Sequence, residues 1–180
     1  MMNRTTSYFI FSIVGIALVS YLINKPRVTV SFSPQLTKDV LYYSKSAYCS
    51  ESAINNWNCA SCGYYPGMVD AEVFYNSSHH AQGYGGYDRT NNRIVFAFRG
   101  SVDAENWISN FDFLKTSYNG CSGCSVHSGF YKTWKDLEPS IINKANQLRI
   151  KYPAAQIYVT GHSLGAAVST ICAVKFLKNI

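Results

Sequence analysis

The sequence predicts an α/β fold, on three observations. Strand-length apolar runs alternate with helical patterns through the second half of the chain. One of those runs, Ile157-Tyr158-Val159, leads through a glycine-flanked turn straight into an apolar helix pattern. Apolar residues make up 47% of the 180 residues and charged residues only 14%, against about 25% in an ordinary globular chain. An aromatic content of 15% excludes a disordered, solvating chain. The 12 glycines follow no period and no heptad run appears, which excludes collagen-like and coiled-coil architectures. The length suits one domain, with no internal repeat and no interdomain linker.

The elements follow in order. Arg4 precedes an uncharged apolar run over 8–23, longer than a signal h-region of about 7–15 residues and shorter than a spanning helix of about 20. Residues 1–25 therefore read as a secretory signal peptide or an uncleaved signal-anchor, and both send the remainder into the secretory pathway. Ser33-Pro34 opens a helix, with serine at the cap and proline in the first turn. Leu36, Val40, Tyr43 and Ala47 continue it at helical spacing. A loop is expected over 49–67 and a strand over 69–75. Residues 82–88 and 93–98 read as a hairpin joined by the turn residues Thr90-Asn91-Asn92. Phe130, Trp134, Leu137, Ile141, Ala145 and Leu148 predict a long helix after His127, which Pro139 should kink or interrupt. A strand over 156–160 and a helix over about 163–178 complete the chain.

The formal net charge of +6 carries little functional information. Lys132, Lys135, Lys144, Arg149 and Lys151 recur at helical positions and read as a solvated helix face, and no nucleic-acid motif accompanies them. Asn76-Ser77-Ser78 is a glycosylation sequon.

Six cysteines in a secretory chain point to disulfides. Cys59 with Cys62 and Cys121 with Cys124 each spell CxxC, which also admits a zinc site built from all four. A redox CxxC opens a helix after a strand, whereas Cys121 lies in a loop of Asn-Gly and Ser-Gly pairs. Two short local disulfides, 59–62 and 121–124, are expected. Cys172 reads as a buried thiol in an apolar stretch, and Cys49 is left without a partner.

The chemistry is concentrated in Gly161-His162-Ser163-Leu164-Gly165, a G-x-S-x-G run between a strand and a helix. A serine on so tight a turn needs neighbours two residues away without side chains. Its hydroxyl then projects at a helix N-terminus, where the dipole favours developing negative charge. The Leu164 N–H points where an oxyanion would form. The bland alternative is a serine cap with glycines for close packing. Strand 94–98 ends in Arg99-Gly100-Ser101, which can present an N–H and an O–H to the same oxyanion. The segment 102–110, with Trp107 and Ile108 beside acidic residues, reads either as a lid that meets lipid or as a surface helix anchored by its tryptophan.

From about residue 32 to the end, the chain resembles the fungal-type (class 3) lipase family. The resemblance rests on Phe98-Arg99-Gly100-Ser101 followed by Asn106-Trp107, on Cys121-Ser-Gly-Cys124, and on His127-Ser-Gly-Phe130 with Trp134. Val159-Thr160 ahead of the G-x-S-x-G run completes it. The family implies an α/β-hydrolase fold, a mixed central sheet flanked by helices, and secreted ester hydrolysis without cofactor or metal. By resemblance Ser163 is the nucleophile, Ser101 and the Leu164 N–H form the oxyanion hole, and 102–110 is the lid with Trp107 and Ile108. The two CxxC pairs match family disulfides, and Cys49 matches a cysteine that pairs near the C-terminus in some members. The implied partner is a lipid or other ester substrate at a lipid–water interface, with membrane contact through leader or lid and no nucleic acid.

The chain departs from this pattern in one respect. The hydrolase order is Ser, then Asp or Glu, then His, yet no Asp, Glu or His follows Ser163, and His79, His80, His127 and His162 all precede it. No triad acid or base is assignable, and a lipase domain truncated after the nucleophile helix is expected. An acylglycerol lipase is the leading reading. A phospholipase A1 or feruloyl-type esterase on the same scaffold, and a non-catalytic lipid-binding fragment, are the alternatives.

Overall fold

The computed structural model describes residues 10–12, 16–18, 32–77, 80–102 and 114–179. Near the N-terminus, Ile10–Ser12 (β1) and Ile16–Leu18 (β2) pair antiparallel, and the rest of 1–25, expected as a signal peptide or signal-anchor, lies outside the described residues. Among the described residues no helix is long and apolar enough to cross a membrane. Helix α1, Pro34–Ser46, starts where its cap places it: the Ser33 hydroxyl accepts the Leu36 N–H at 3.2 Å. The segment expected as a loop instead holds a short helix, Glu51–Asn55 (α2), capped by Ser50, and a 3-10 turn at Cys62–Tyr64. Such short pieces contain too little sequence for a 3.6-residue period to show.

Among the described residues the main sheet has four strands in the order β3-β4-β5-β8: Met68–Asn76 (β3), Ala81–Asp88 (β4), Arg93–Phe98 (β5) and Gln156–Gly161 (β8). The first three pair antiparallel, and β8 joins β5 in parallel. Between them, Lys115–Ser117 (β6) and Ser125–His127 (β7) form a separate antiparallel ladder. The long helix Ser128–Lys151 (α3) then returns the chain to β8, and Leu164–Asn179 (α4) follows. The β6–β7 ladder closes a loop containing the Cys121–Cys124 disulfide, and Cys59–Cys62 is likewise bonded. All four sulfurs are therefore committed to disulfides, and among the described residues no His/Cys/Asp/Glu cluster suits a metal.

Helix α3 runs through Pro139 without the expected interruption. Pro139 lies on the exposed side, so the Lys135 carbonyl it leaves without a helical N–H faces water. Lys144 also departs from expectation. It turns inward from α3 and is buried, with its ammonium 3.0 Å from Glu72 on β3.

Strand β5 is apolar at every position from Ile94 to Phe98 because both its faces are covered. Ile94, Phe96 and Phe98 join Trp134, Leu137, Ile141, Val168 and Ile171 under α3 and α4. Val95 and Ala97 face the other way, toward Tyr43, Ala47, Ile54 and Tyr84 beneath α1 and α2. The sheet is thus the middle of three layers. On β4, Gly83 and Gly85 stand opposite Phe98 and Phe96, and a Cβ on either glycine would press into those rings at 2.7 Å.

Two polar ties fix the layers. Asp39 on α1 accepts from Arg93, Tyr65 and Gln35, while Tyr43 donates to Asp88 at 2.5 Å. Asp70, at φ 54 in the β3 irregularity, receives the Lys151 ammonium at 2.7 Å and the Tyr152 hydroxyl at 2.6 Å from the end of α3.

Candidate active site

Parallel pairing sets Phe98 beside Gly161, so β5 and β8 end together and their following loops leave from the same edge. Ligand sites of open α/β sheets form at such carboxyl ends. The loop after β8 is a two-residue turn, His162-Ser163, before α4 begins at Leu164. Ser163 has φ 56, a left-handed conformation that costs a side-chain-bearing residue strain. The Gly165 N–H closes the turn onto the His162 carbonyl at 2.9 Å, and the Ala166 N–H bonds the Ser163 carbonyl at 2.9 Å. A Cβ on Gly161 would fall on Gly165, and one on Gly165 would fall on the Phe98 carbonyl. Both glycines are therefore steric requirements of this turn. Ser163 is exposed at the N-terminus of a 16-residue helix.

The loop after β5 runs against this turn. A Cβ on Gly100 would stand 3.0 Å from the Ser163 Cβ and 2.7 Å from the His162 carbonyl. Ser101, the next residue, is half-buried, and Leu164 is packed partly into the core under α3 and α4. Arg99 anchors the loop from behind. Its Nη1 donates to Gln82 Oε1 at 3.0 Å and its Nη2 to the His80 carbonyl at 2.7 Å. Ser163, Leu164 and Ser101 are thus gathered at one sheet edge. Trp107 and Ile108 lie outside the described residues.

Sequence reasoning missed two residues here. Tyr48, just beyond α1, places its hydroxyl 2.8 Å from His162 Nδ1 and accepts the Gly100 N–H at 2.9 Å. Gln82, buried on β4, donates to the carbonyls of Ala47 and Cys49 on either side of Tyr48. No local motif marks either residue, because both reach the site from elements distant in sequence.

The described histidines are engaged elsewhere. His162 Nδ1 faces Tyr48, His80 Nδ1 faces Tyr75, and His127 Nδ1 accepts the Phe130 N–H as the cap of α3. Among the described residues, none of the three is hydrogen-bonded to the Ser163 hydroxyl. Cys49 is half-buried with its Sγ 3.5 Å from Ser61 Oγ. Cys172 is fully buried, and that burial pushes its thiol pKa up.

A three-layer mixed sheet with a strained serine between a parallel strand and its following helix defines an α/β-hydrolase. The solved Rhizomucor miehei triacylglyceride lipase has this fold, superposing with a TM-score of 0.74 at 25% identity over 82% of this chain and 57% of that one. A solved Penicillium cyclopium protein gives a TM-score of 0.66 at 27% identity, over 82% of this chain and 59% of that chain. Residues 95–180 match the family described as lipase (class 3). The secreted mono- and diacylglycerol lipase A of Penicillium cyclopium is 40% identical over 91 residues, 51% of this chain and 30% of that protein. The chain spans less than half the length of the curated relatives it matches.

Proposed function

We propose that this chain carries the nucleophile half of a secreted class 3 lipase that cleaves acylglycerol esters through Ser163. The observation that carries the reading is the Ser163 turn itself. Its positive φ, the two glycines that permit it and the β5 loop against it make a nucleophile elbow facing a second loop. Strain of this kind persists only where the surrounding structure over-determines it.

The chemistry would be acyl transfer. The Ser163 oxygen attacks the ester carbonyl carbon, and the carbonyl oxygen gains negative charge. The Leu164 N–H, at the positive end of the α4 dipole, and Ser101 stabilise that charge. The alkoxide leaves with a proton, and water then releases the acid from the acyl-serine. A general base must take the Ser163 proton, and residues 164–180 contain no Asp, Glu or His. The leader, the two disulfides and a relative named as secreted support the secretory assignment.

The test is hydrolysis of emulsified triacylglycerol and a soluble short-chain aryl ester by the product of the complete open reading frame. Ser163→Ala should lower turnover by roughly 10⁴-fold or more. Equal turnover by the variant would remove Ser163 from the mechanism. Lipid binding without turnover by either protein would leave the non-catalytic reading standing.

A further inference from the structure

The Tyr48 hydroxyl lies where the two site loops meet. It accepts the Gly100 N–H at 2.9 Å and sits 2.8 Å from His162 Nδ1. A Cβ on Gly100 would touch that hydroxyl at 2.5 Å while standing 3.0 Å from the Ser163 Cβ, so the phenol and the serine flank the same glycine. The backbone of Tyr48 is itself held. Gln82 Nε2 donates to the Ala47 carbonyl at 2.8 Å and to the Cys49 carbonyl at 2.9 Å, one on each side of Tyr48. Gln82 Oε1 accepts from Arg99 Nη1 at 3.0 Å, and the Gln82 carbonyl accepts the Arg99 N–H at 2.9 Å. The bonds therefore form a closed ring, from Arg99 through Gln82 and Tyr48 back to Gly100, the residue after Arg99.

Proton accounting fixes the direction of the remaining bond. A phenol oxygen offers one donor and two acceptor positions, and neutral imidazole carries a single N–H. With its oxygen already accepting the Gly100 N–H, Tyr48 has a proton to donate. If His162 Nδ1 is bare, the phenol proton goes there and both groups are satisfied. If Nδ1 carries the proton, the phenol oxygen accepts twice and its own proton has no partner in the ring. The two arrangements make the same number of bonds in the ring, but only the first leaves no proton there without a partner.

We propose that Tyr48, held by Gln82, is the positioning residue of this site. It ties the Gly100–Ser101 loop to the Ser163 turn, engages the Gly100 N–H so that the oxyanion role falls to Ser101, and holds His162 as its Nε2–H tautomer. Nothing in the four-residue Phe98–Ser101 motif or in the G-x-S-x-G run specifies this. The catalytic consequence rests on the reading of Ser163 as nucleophile; the tautomer and the tie do not.

The experiment has two arms. In the first, the product of the complete open reading frame, uniformly ¹⁵N-labelled, is observed by long-range ¹H–¹⁵N NMR. His162 is expected as the Nε2–H tautomer in the unsubstituted protein. Tyr48→Phe, which keeps the ring, should give a tautomer mixture and speed Gly100 amide exchange by roughly tenfold, the loss of one ordinary hydrogen bond. A predominant Nδ1–H tautomer in the unsubstituted chain overturns the proposal without any variant. So does a Tyr48→Phe protein with unchanged tautomer and unchanged Gly100 exchange. In the second arm, the product of the complete open reading frame hydrolyses a soluble aryl ester. Tyr48→Phe should lower kcat by roughly tenfold with KM nearly unchanged. A raised KM at unchanged kcat would make Tyr48 a substrate contact and overturn its positioning role. Full activity of Ser163→Ala would defeat the nucleophile reading alone, leaving the NMR arm to decide on the tie.

Discussion

The Asp39 carboxylate and the Arg93 guanidinium meet at 2.5 Å between α1 and β5, at the opposite end of β5 from Ser163. Burial by itself would raise the Asp39 carboxyl. Hydrogen bonds from Arg93, Tyr65 and Gln35 outweigh it and hold the group below its ordinary value. A depressed carboxylate contributes stability that is fully present above its unfolded value, about 3.9, and is lost as pH falls through the lower folded value. The thermal stability of the unsubstituted chain should therefore decrease as pH falls below about 4, and Asp39→Asn should flatten that slope. Arg93→Met, which strands a buried carboxylate, should cost about 3 kcal/mol at neutral pH. Parallel stability–pH curves for the chain and Asp39→Asn would refute this role.

Pro139 is a reserve of stability in α3. Its ring removes one helical N–H, yet it sits on the exposed face and the helix continues past it. Pro139→Ala restores the N–H toward the Lys135 carbonyl without adding bulk to the core. A gain of about 1–3 kcal/mol is expected, read as a higher unfolding midpoint in urea. An unchanged or lower midpoint would mean that the proline already relieves some other conflict.

Glycine requirements differ sharply along the chain. A methyl on Gly165 would fall on the Phe98 and Arg99 carbonyls, whereas one on Gly63 would meet nothing within 4 Å. Gly165→Ala should force β5 and α4 apart and cost about 2 kcal/mol or more. Gly63→Ala should stay within about 0.5 kcal/mol. Chemical denaturation of the two variants side by side checks both. Equal effects would contradict the packing described at the Ser163 turn.

The two thiols should differ in reactivity. Cys172 is fully enclosed and its burial disfavours the thiolate, while Cys49 is half-buried. A colorimetric disulfide reagent should titrate Cys49 first in the native chain, and both thiols after denaturation without reductant. Cys49→Ser should abolish the native reaction. Rapid native modification of Cys172 would show that the packing between α4 and β5 opens readily.

Much of this molecule was legible because its local rules agree with its fold. Ser33 capped α1 as its chemistry requires, the 93–98 run became a strand buried on both faces, and glycine spacing around Ser163 foretold a turn that admits no side chain there. What escaped notice depends on partners far away in sequence. Lys144 sat in a series of cationic helix positions, and only the fold reveals Glu72 behind it. Helix α2 and the three-residue strands β6 and β7 are too short to carry a period. Tyr48 and Gln82 look ordinary in the chain and acquire meaning only when β4, β5 and β8 lie side by side. Trp107 and Ile108, expected in a lid or a surface helix over 102–110, lie outside the described residues.

The parallel register of Phe98 with Gly161 also sets an order of events. The β4–β5 hairpin needs only neighbouring residues and can close early, but β8 must return across about 60 residues of chain before it finds β5. Until that closure, the Phe98 carbonyl and the Gly100 loop that confine the Ser163 turn are not yet beside it. The confined form of the Ser163 turn is therefore complete only once β8 has docked beside β5. Timing, as well as geometry, is written into that strand pairing.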